Sequence, residues 1–597
     1  MSRSAPATHA LSFEGIFAFS GDAHVHAYRL ANGLRVLLLP DGSAPVASLQ
    51  TWMSVGSRDE EPGRTGLAHF FEHLMFVGTE RFPPGEFDRE LEAIGAEFNA
   101  ATWTDWTQYY ATFRSKELER VVELEADRFE NLALGETQIA SEREVVISER
   151  RDRVDDDVNG KASELLFQLA FRKHGYGHPT IGWMEDIERY DRESCRRFAT
   201  HNYRPSRASL IFAGEFDTQS TLELVQAHYG GLAAVQLPVR NQLGEPAQSR
   251  ERRLHTTLPA ETEKLLIGYR APAIAERDWR VLAVAGDLLL GGRSGSLYRQ
   301  LVLDDELATS AYGSLTPFEH PGLYEIGVSM RPDQAAESAL TRIDEAMRRL
   351  ADEGPSEAAL ERAKARSELS LLSSASSVSG KAEQVGFDVT VLGAPLSIDA
   401  RIEAYRSVTR SDVRQVARKY FQTSQRSVVI VRPQREQPRI ATTDPSEVDN
   451  PSSPEKTEYT EETPADMGVY VEGFGSRFLV IPITEVAQVS GGESAKPGSL
   501  VAAHRTSERL YNSFVWLNEG GPTLVGNADG ELVGIEARGS GRTDPKWTIA
   551  WGGTHADWPT GYTLQVVVPD GRVVYQLAPT KSPEADVLIF VRGWRPA

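Results

Sequence analysis

Residues 66–76 read Gly66-Leu67-Ala68-His69-Phe70-Phe71-Glu72-His73-Leu74-Met75-Phe76. The apolar residues recur every three or four positions, which predicts an amphipathic helix. On a helix that turns by about 100° per residue, His73 lies about 40° from His69, so both imidazoles leave one face a single turn apart. Two imidazoles in this arrangement can share a tetrahedral metal ion, and Glu72 is placed to take a proton from a metal-bound water. The segment therefore predicts a metal site.

A catalytic zinc needs a third protein ligand, and a charged stretch downstream offers several. Glu142, Glu144 and Glu149 lie on a predicted helix, and spacing alone does not choose among them. Two other interpretations of the histidine pair stay open. It could be a satisfied structural pair, or a chance match, which we expect roughly once in fifty sequences with this histidine content.

The composition is that of a large acidic protein. The 597 residues carry 64 lysines and arginines against 85 aspartates and glutamates, a formal net charge of −21. This excess argues against non-specific binding to nucleic acid or anionic membranes, both of which need a basic surface. Hydrophobic residues make up 40% of the chain, enough for several cores. The length predicts about three to five domains.

The compartment is predicted from what the sequence lacks. The single cysteine, Cys195, excludes an internal disulfide and a cysteine-based metal site. No run of about 18 apolar residues occurs, so we expect no membrane-spanning helix. Residues 1–22 have one arginine and no continuous apolar core, which makes a poor secretory signal. We therefore expect a cytoplasmic protein, with a periplasmic location left open.

Working outward from the motif, the pattern alternates between strands and helices. Residues 27–55 are rich in β-branched and aliphatic residues and contain the Asn32-Gly33 turn, which predicts strands. A second short helix ends at Gly95, and residues 98–113 are predicted as a strand. Long helices are predicted for residues 115–134 and 137–172.

A change of composition marks the clearest domain boundary. Residues 441–470 hold eight acidic residues, one lysine and four prolines, and cannot bury enough apolar surface to offset the cost of ordering. We predict an acidic, proline-rich linker over residues 436–467. Beyond it, short apolar runs between Gly, Asn, Asp and Pro turns predict a β-rich domain of unknown role over residues 468–597.

Two further segments extend the motif into a recognisable pattern. Glu149 follows His73 by 76 positions, at the end of Glu142-Arg143-Glu144-Val145-Val146-Ile147-Ser148-Glu149. The other segment reads Glu97-Phe98-Asn99-Ala100-Ala101-Thr102-Trp103-Thr104-Asp105-Trp106-Thr107-Gln108-Tyr109. With the inverted zinc-peptidase motif H-x-x-E-H, these segments resemble the pitrilysin/insulinase family, which includes mitochondrial processing peptidase. The resemblance covers about residues 20–435.

The resemblance implies a zinc peptidase and assigns its residues. It implies that His69, His73 and Glu149 hold Zn²⁺. Glu72 is then the general base, and Glu142 is a carboxylate of the catalytic site that orients a ligand. The implied substrate is a peptide or an unfolded protein segment.

A second set of implied residues binds the substrate. In the family, an edge strand pairs with the extended substrate, which places Asn99 and Ala100 against its backbone. An ordinary core strand is the alternative interpretation for this segment.

The second half of the matched region resembles a degenerate copy of the first. When Gly291 is aligned with Gly78, Leu282, Ala285 and Gly286 replace the two histidines and the glutamate of the motif. The implied fold is α+β, with two homologous α/β-sandwich peptidase domains over residues 20–235 and 236–435. The second domain lacks metal ligands and serves as a wall of the chamber.

One departure from the family affects the expected activity. Active members carry an Arg in the second domain and a Tyr seven residues later, which bind substrate and stabilise the oxyanion. Our alignment places Leu303 and Ser310 there, although a shifted register could use Tyr312. We therefore expect the zinc-bearing subunit of a heterodimer whose homologous partner supplies the Arg and Tyr. The alternatives are an impaired zinc-binding scaffold and a protein that binds partners through its tail, residues 468–597, which holds five of the 10 tryptophans.

Overall fold

The computed structural model describes residues 11–235 and 244–434 in full, and beyond them the backbone of nine strands between residues 469 and 591. The chain divides into two compact units, Met1–Ile440 and Ala441–Ala597. The predicted linker, 436–467, lies outside the described residues. The predicted domain bounds stay predictions, and the two units are described separately.

The first domain is built on a seven-stranded sheet. Its strand order is β1-β2-β3-β7-β4-β6-β5, which leaves β5 at one edge. The strands are β1 (Ser12–Ser20), β2 (Ala23–Arg29), β3 (Arg35–Pro40), β4 (Val46–Met53), β5 (Glu97–Thr102), β6 (Thr107–Arg114) and β7 (Ala208–Gly214). The helices are α1 (Leu67–Leu74), α2 (Glu86–Ala93), α3 (Leu118–Asn131), α4 (Glu136–Arg150), α5 (Val158–Ala170), α6 (Met184–Ile187), α7 (Arg192–Asn202) and α8 (Thr218–Tyr229).

The second domain repeats this plan with fewer strands. Its sheet has the order β10-β11-β9-β12-β8. The strands are β8 (Arg252–Leu258), β9 (Lys264–Arg270), β10 (Ala308–Leu315), β11 (Leu323–Met330) and β12 (Arg426–Pro433). The helices are α9 (Arg277–Leu290), α10 (Ser296–Tyr298), α11 (Ala336–Asp352), α12 (Glu357–Ser374), α13 (Val378–Phe387), α14 (Ile398–Arg406) and α15 (Arg410–Tyr420).

The strand pairing confirms that the two domains are copies of one plan. The pair β3–β7 is parallel, as is β8–β12, and the next three strands follow in the same order in both sheets. Helix α9 occupies the place of α1, and Leu282, Ala285 and Gly286 are buried in it. The second domain therefore keeps the motif helix as packing and has no metal ligand at these positions.

One helix of each domain packs against the sheet of the other domain. Helix α5 of the first domain places Ala162 and Leu166 against Leu266 and Val429 of the second sheet. In return, α13 of the second domain packs against the first sheet, where Gly386 lies so close to the ring of Trp52 that a Cβ would be 2.1 Å from its Nε1. Because burying one large apolar side chain contributes about 1.5–3 kcal/mol, this exchange fixes the two domains against each other.

Two predicted elements of the first domain differ in the structure. Residues 98–113 form a hairpin, β5 and β6, rather than one strand, because the segment turns at Trp103–Trp106. The predicted helix 137–172 is interrupted after α4 by a π-helical turn, Arg151–Asp155, before α5 begins. Asp157 caps the new helix by accepting a hydrogen bond from Gly160 N.

The residues that the structure describes in the C-terminal unit form strands, in agreement with the predicted β-rich character. Its strands form a four-stranded sheet in the order β13-β14-β21-β15, a pair β16-β17 and a three-stranded sheet β18-β19-β20. They are β13 (Val469–Gly473), β14 (Ser476–Pro482), β15 (Leu500–His504), β16 (Pro522–Gly526), β17 (Leu532–Ala537), β18 (Thr548–Gly552), β19 (Thr563–Val568), β20 (Gly571–Gln576) and β21 (Val587–Val591). Among the helices that the structure describes, none has the length and apolar character needed to cross a bilayer.

Candidate metal centre

Helix α1 presents the motif on the side that it does not bury in the core. Its apolar face packs into the main core of the first domain through Leu67, Phe70, Phe71 and Leu74. The polar face carries both histidines, whose ring centroids lie 4.8 Å apart. His69 is buried, with 8% of its surface exposed, whereas His73 and Glu72 are half-buried. The helical prediction for this segment is confirmed.

The start of α1 is fixed by a buried carboxylate. Glu60 accepts hydrogen bonds from Gly66 N at 2.6 Å and from Ala68 N at 2.7 Å, which satisfies two of the amides that a helix leaves without partners. Burial raises the pKa of Glu60 well above its usual value, against the opposing effect of these two hydrogen bonds. Gly66 has a φ of 88°, and a Cβ there would lie 2.3 Å from Ile181 O.

Helix α4 brings two of the three candidate glutamates to the motif. Glu142 and Glu149 are seven residues apart, two helical turns, and both face α1. Glu144 points away, and its side chain is 68% exposed. The fold therefore resolves the choice that spacing left open: Glu149 and Glu142 lie at the histidines, and Glu144 does not.

The two histidines and Glu149 converge on one point. His73 Nε2 lies 3.1 Å from Glu149 Oε2, and His69 Nε2 lies 3.5 Å from Glu149 Oε1. One potential ligand atom from each residue lies within 4.8 Å of the others. Glu142 Oε2 lies 3.6 Å from the other ring nitrogen of His73, Nδ1, where it can orient the ring.

The charges of the cluster favour a cation. Burial lowers the pKa of His73, but its hydrogen bonds with Glu142 and Glu149 outweigh that effect and raise the pKa to about 9. Burial raises the pKa of Glu149, yet the hydrogen bonds with His69 and His73 bring it well below its usual value. A proton on His73 thus occupies the position that a metal ion would take between these donors.

The donor set fits zinc. Two imidazoles and one carboxylate with room for a water are the ligands of a catalytic zinc site. Glu72 Oε2 is buried and has no hydrogen-bond partner among the described residues. A buried carboxylate oxygen beside the cluster is costly unless it has a partner, so this atom is available to a water at the site.

The predicted substrate strand lies at the edge of the sheet. Strand β5 pairs with β6 on one side only, and α1 packs against both strands. Asn99 is exposed, and its Oδ1 accepts a hydrogen bond from Ala100 N at 2.8 Å. The amide of Ala100 therefore points sideways from the free edge of the sheet. There it could donate a hydrogen bond to a carbonyl of an added strand.

The positions that we aligned with the family's Arg and Tyr carry neither group. Leu303 lies in a π-helical turn, Arg299–Asp304, and is 40% exposed. Ser310 lies on the edge strand β10 and is exposed. Tyr312 is 52% exposed, and its ring lies over Gly327 of the neighbouring strand.

Sequence reasoning missed the residues that support the site from a distance. Glu60, which caps α1, and Arg150, which follows Glu149, have no local signal because their partners are distant in sequence. Arg150 Nη1 donates to Gly182 O at 2.6 Å, and its Nη2 donates to Glu164 at 2.9 Å. Asp105 has no predicted role in the motif that contains it, yet it accepts hydrogen bonds from Tyr176 and from Glu319 N of the second domain.

Comparisons with known proteins match both domains. Residues 35–183 match the family model described as insulinase (peptidase family M16), and residues 189–367 match the model described as peptidase M16 inactive domain. The zinc protease PqqE of Helicobacter pylori is 28% identical over 419 residues, which cover 68% of this chain and 92% of that protein. An uncharacterized zinc protease of Mycobacterium leprae is 31% identical over 55% of this chain and 74% of its own length.

A solved structure agrees with these matches. The crystal structure of a protease from Helicobacter pylori superposes with a TM-score of 0.66 at 27% identity, over 68% of this chain and 99% of that one. Both family models, the relatives named as zinc proteases and the paired domains thus agree. The chain belongs to the pitrilysin/insulinase family of zinc peptidases.

Proposed function

We propose that this chain is a zinc metalloendopeptidase that hydrolyses peptides or unfolded polypeptide segments. The observation that carries the proposal is the convergence of His69, His73 and Glu149. Beside them lies a carboxylate oxygen of Glu72 that has no hydrogen-bond partner in the described part of the chain. Zinc held by these three residues supplies a Lewis acid that polarises the scissile carbonyl and acidifies a water. The convergence of the donor atoms in space, and not the sequence motif alone, supports the proposal.

In this proposal, Glu72 moves the proton. Its Oε2 accepts a proton from the attacking water and returns it to the leaving amine nitrogen, which balances the hydrolysis. Glu142 holds the His73 ring through Nδ1, so that Nε2 faces the site. His69 and His73 must both be neutral at Nε2 to act as ligands.

The substrate is proposed to add a strand to β5. The outward amide of Ala100 would donate to a substrate carbonyl in place of Asn99 Oδ1, which frees the Asn99 side chain to contact the substrate backbone. Because the hydrogen bonds of this binding mode go to the substrate main chain, extended substrates of different sequence can bind in the same way. Ala100→Pro removes the donor at an edge position that tolerates proline, so KM should rise while zinc content stays unchanged. An unchanged KM would refute this binding mode.

We also propose that the active enzyme is a heterodimer in which a homologous subunit supplies the Arg and Tyr. Leu303 and Ser310 offer no guanidinium and no phenol for the oxyanion, which supports a division of labour. Size-exclusion chromatography and peptidase assays of the isolated chain test it. We expect the chain alone to bind zinc and cleave poorly, and to gain activity with a partner captured from the native source. Full activity as a monomer would disprove the heterodimer.

A catalytically impaired zinc-binding scaffold is the second candidate function, and the same missing pair favours it. Cleavage of an unstructured peptide separates the two candidates. Zinc binding with no cleavage, either alone or with the native partner, would favour the scaffold. The cytoplasmic location expected from the sequence stays part of the proposal.

A further inference from the structure

The two oxygens of Glu149 have different surroundings. Oε2 faces His73 Nε2 at 3.1 Å, whereas Oε1 forms an ion pair with Arg153 Nη1 at 2.7 Å. His69 Nε2 lies farther from Oε1, at 3.5 Å. The glutamate is thus held between a histidine on one oxygen and a guanidinium on the other.

The backbone that carries Arg153 is held in place. It lies on the π-helical turn Arg151–Asp155, whose last residue accepts a hydrogen bond from Arg150 Nη2 at 3.2 Å. Arg150 is buried and is itself tied to Glu164 and to Gly182 O. Val154, on the same turn, is buried in the core of the first domain. The fixed turn keeps the backbone of Arg153 within reach of Glu149, four residues earlier in the chain.

We infer that Arg153 is a positioning residue for zinc, an inference that rests on the proposed function. By holding Oε1, it directs Oε2 of Glu149 toward the metal as a single ligand atom. A carboxylate that binds through one oxygen leaves a coordination position open for water and substrate, as a catalytic zinc requires. The ion pair of 2.7 Å between the guanidinium and Oε1 holds the carboxylate in this orientation.

The charge of Arg153 does not compete strongly with the metal. The Arg153 side chain is 74% exposed, whereas that of Glu149 is 16% exposed. Water and salt therefore screen the repulsion between the guanidinium and a bound cation at longer range, while the ion pair acts at direct contact with the half-buried carboxylate. Loss of the orientation should outweigh the relief of repulsion.

Zinc binding by the full-length chain tests the inference. Zinc affinity is measured by competition with a chromogenic chelator in the wild type, Arg153→Ala and Arg153→Lys. Arg151→Ala serves as the matched control, because Arg151 is exposed on the same turn and has no ion pair with the cluster among the described contacts. We expect Arg153→Ala to weaken zinc binding by about 10–100-fold. Arg153→Lys should recover most of the affinity, and Arg151→Ala should bind like the wild type.

The visible spectrum of the Co²⁺-substituted protein gives a readout independent of activity. Release of Oε1 in Arg153→Ala lets both oxygens of Glu149 bind, so the absorption should weaken toward that of higher-coordinate Co²⁺. Arg153→Ala that binds zinc as tightly as the wild type or more tightly, with an unchanged Co²⁺ spectrum, overturns the inference alone. A wild type that binds no zinc overturns both the inference and the proposed function.

Discussion

At the scale of single residues, the role of each carboxylate at the site depends on which ring nitrogen of His73 it contacts. Glu142 and Glu149 both contact His73, but at opposite ring nitrogens, Nδ1 and Nε2. The ring can offer only one nitrogen to a metal, so one carboxylate is a ligand and the other orients the ring. Glu149, near both histidines, is the one placed to be the ligand.

This division of roles predicts different effects for two glutamates of one helix. Glu142→Ala should weaken zinc binding by about 10–100-fold, because the His73 ring loses the group that orients it. Glu144→Ala is the matched control on the same helix and should leave zinc affinity unchanged, since its side chain is 68% exposed and points away. Chelator competition measures both variants. Equal effects of the two substitutions would contradict the assignment of Glu142.

The protonation of His73 predicts how zinc binding depends on pH. In the metal-free protein, its pKa is raised from 6.5 to about 9, so the ion pairs of protonated His73 stabilise the fold fully below pH 6.5, and this contribution is lost as the pH rises through 9. Zinc must displace that proton, so its apparent affinity should rise about tenfold per pH unit up to about pH 9 and then level off. Affinity that does not change between pH 6.5 and 9 would contradict this account.

At the scale of elements, the position of α1 depends on how it begins. Gly66 and Gly85 are both left-handed N-cap residues, with φ of 88° and 78°. A Cβ on Gly66 would collide with Ile181 O, whereas a Cβ on Gly85 meets nothing within 4 Å. A residue with a side chain would therefore be strained in its backbone at either position, but only at Gly66 would the side chain also collide with a neighbour.

This contrast predicts two magnitudes of destabilisation. Gly85→Ala should cost about 1–2 kcal/mol of unfolding free energy, the strain of a left-handed alanine. Gly66→Ala adds a backbone collision and should cost clearly more, together with weaker zinc binding because the motif helix shifts. Urea denaturation of the metal-free variants measures the difference. Equal costs would show that the contact with Ile181 does not constrain α1.

The elements also show what sequence could and could not predict. The motif helix was predicted because its apolar spacing is local and its packing agrees with it. The turn between β5 and β6 was missed because it contains no glycine or proline. It is held by Asp105, which pairs with Arg58 at 2.9 Å and with Glu319 N of the second domain. Such partners are distant in sequence and leave no periodic signal.

The same limit applied to the site. The histidine pair and Glu72 were predicted from helical geometry, and the family resemblance supplied Glu149 and Glu142. Neither source indicated Glu60 or Arg153, because a cap and an orienting contact are defined only when the chain has folded. The break between α4 and α5 after Arg150 could not be predicted from the sequence either. The π-helical turn there has the same charged, helix-favouring composition as the helices on both sides.

At the scale of the whole molecule, the metal centre belongs to the first unit. All three proposed ligands, the capping Glu60 and the exchanged helices α5 and α13 lie within Met1–Ile440. The C-terminal unit has its own sheets. We therefore predict that a chain ending at residue 440 keeps its zinc and, with the native partner present, cleaves an unstructured peptide as the full chain does. Loss of both in a folded truncated protein, judged by circular dichroism, would instead assign the tail an essential role.

The central claim is that zinc and Glu72 together hydrolyse peptides. The most direct test measures zinc content and peptide cleavage in the same preparation of the wild type, Glu72→Gln and His73→Ala, each with the native partner present. We predict about one zinc per chain and cleavage in the wild type, retained zinc without turnover in Glu72→Gln, and loss of both in His73→Ala. Normal cleavage by Glu72→Gln, or full zinc content in His73→Ala, would contradict the account.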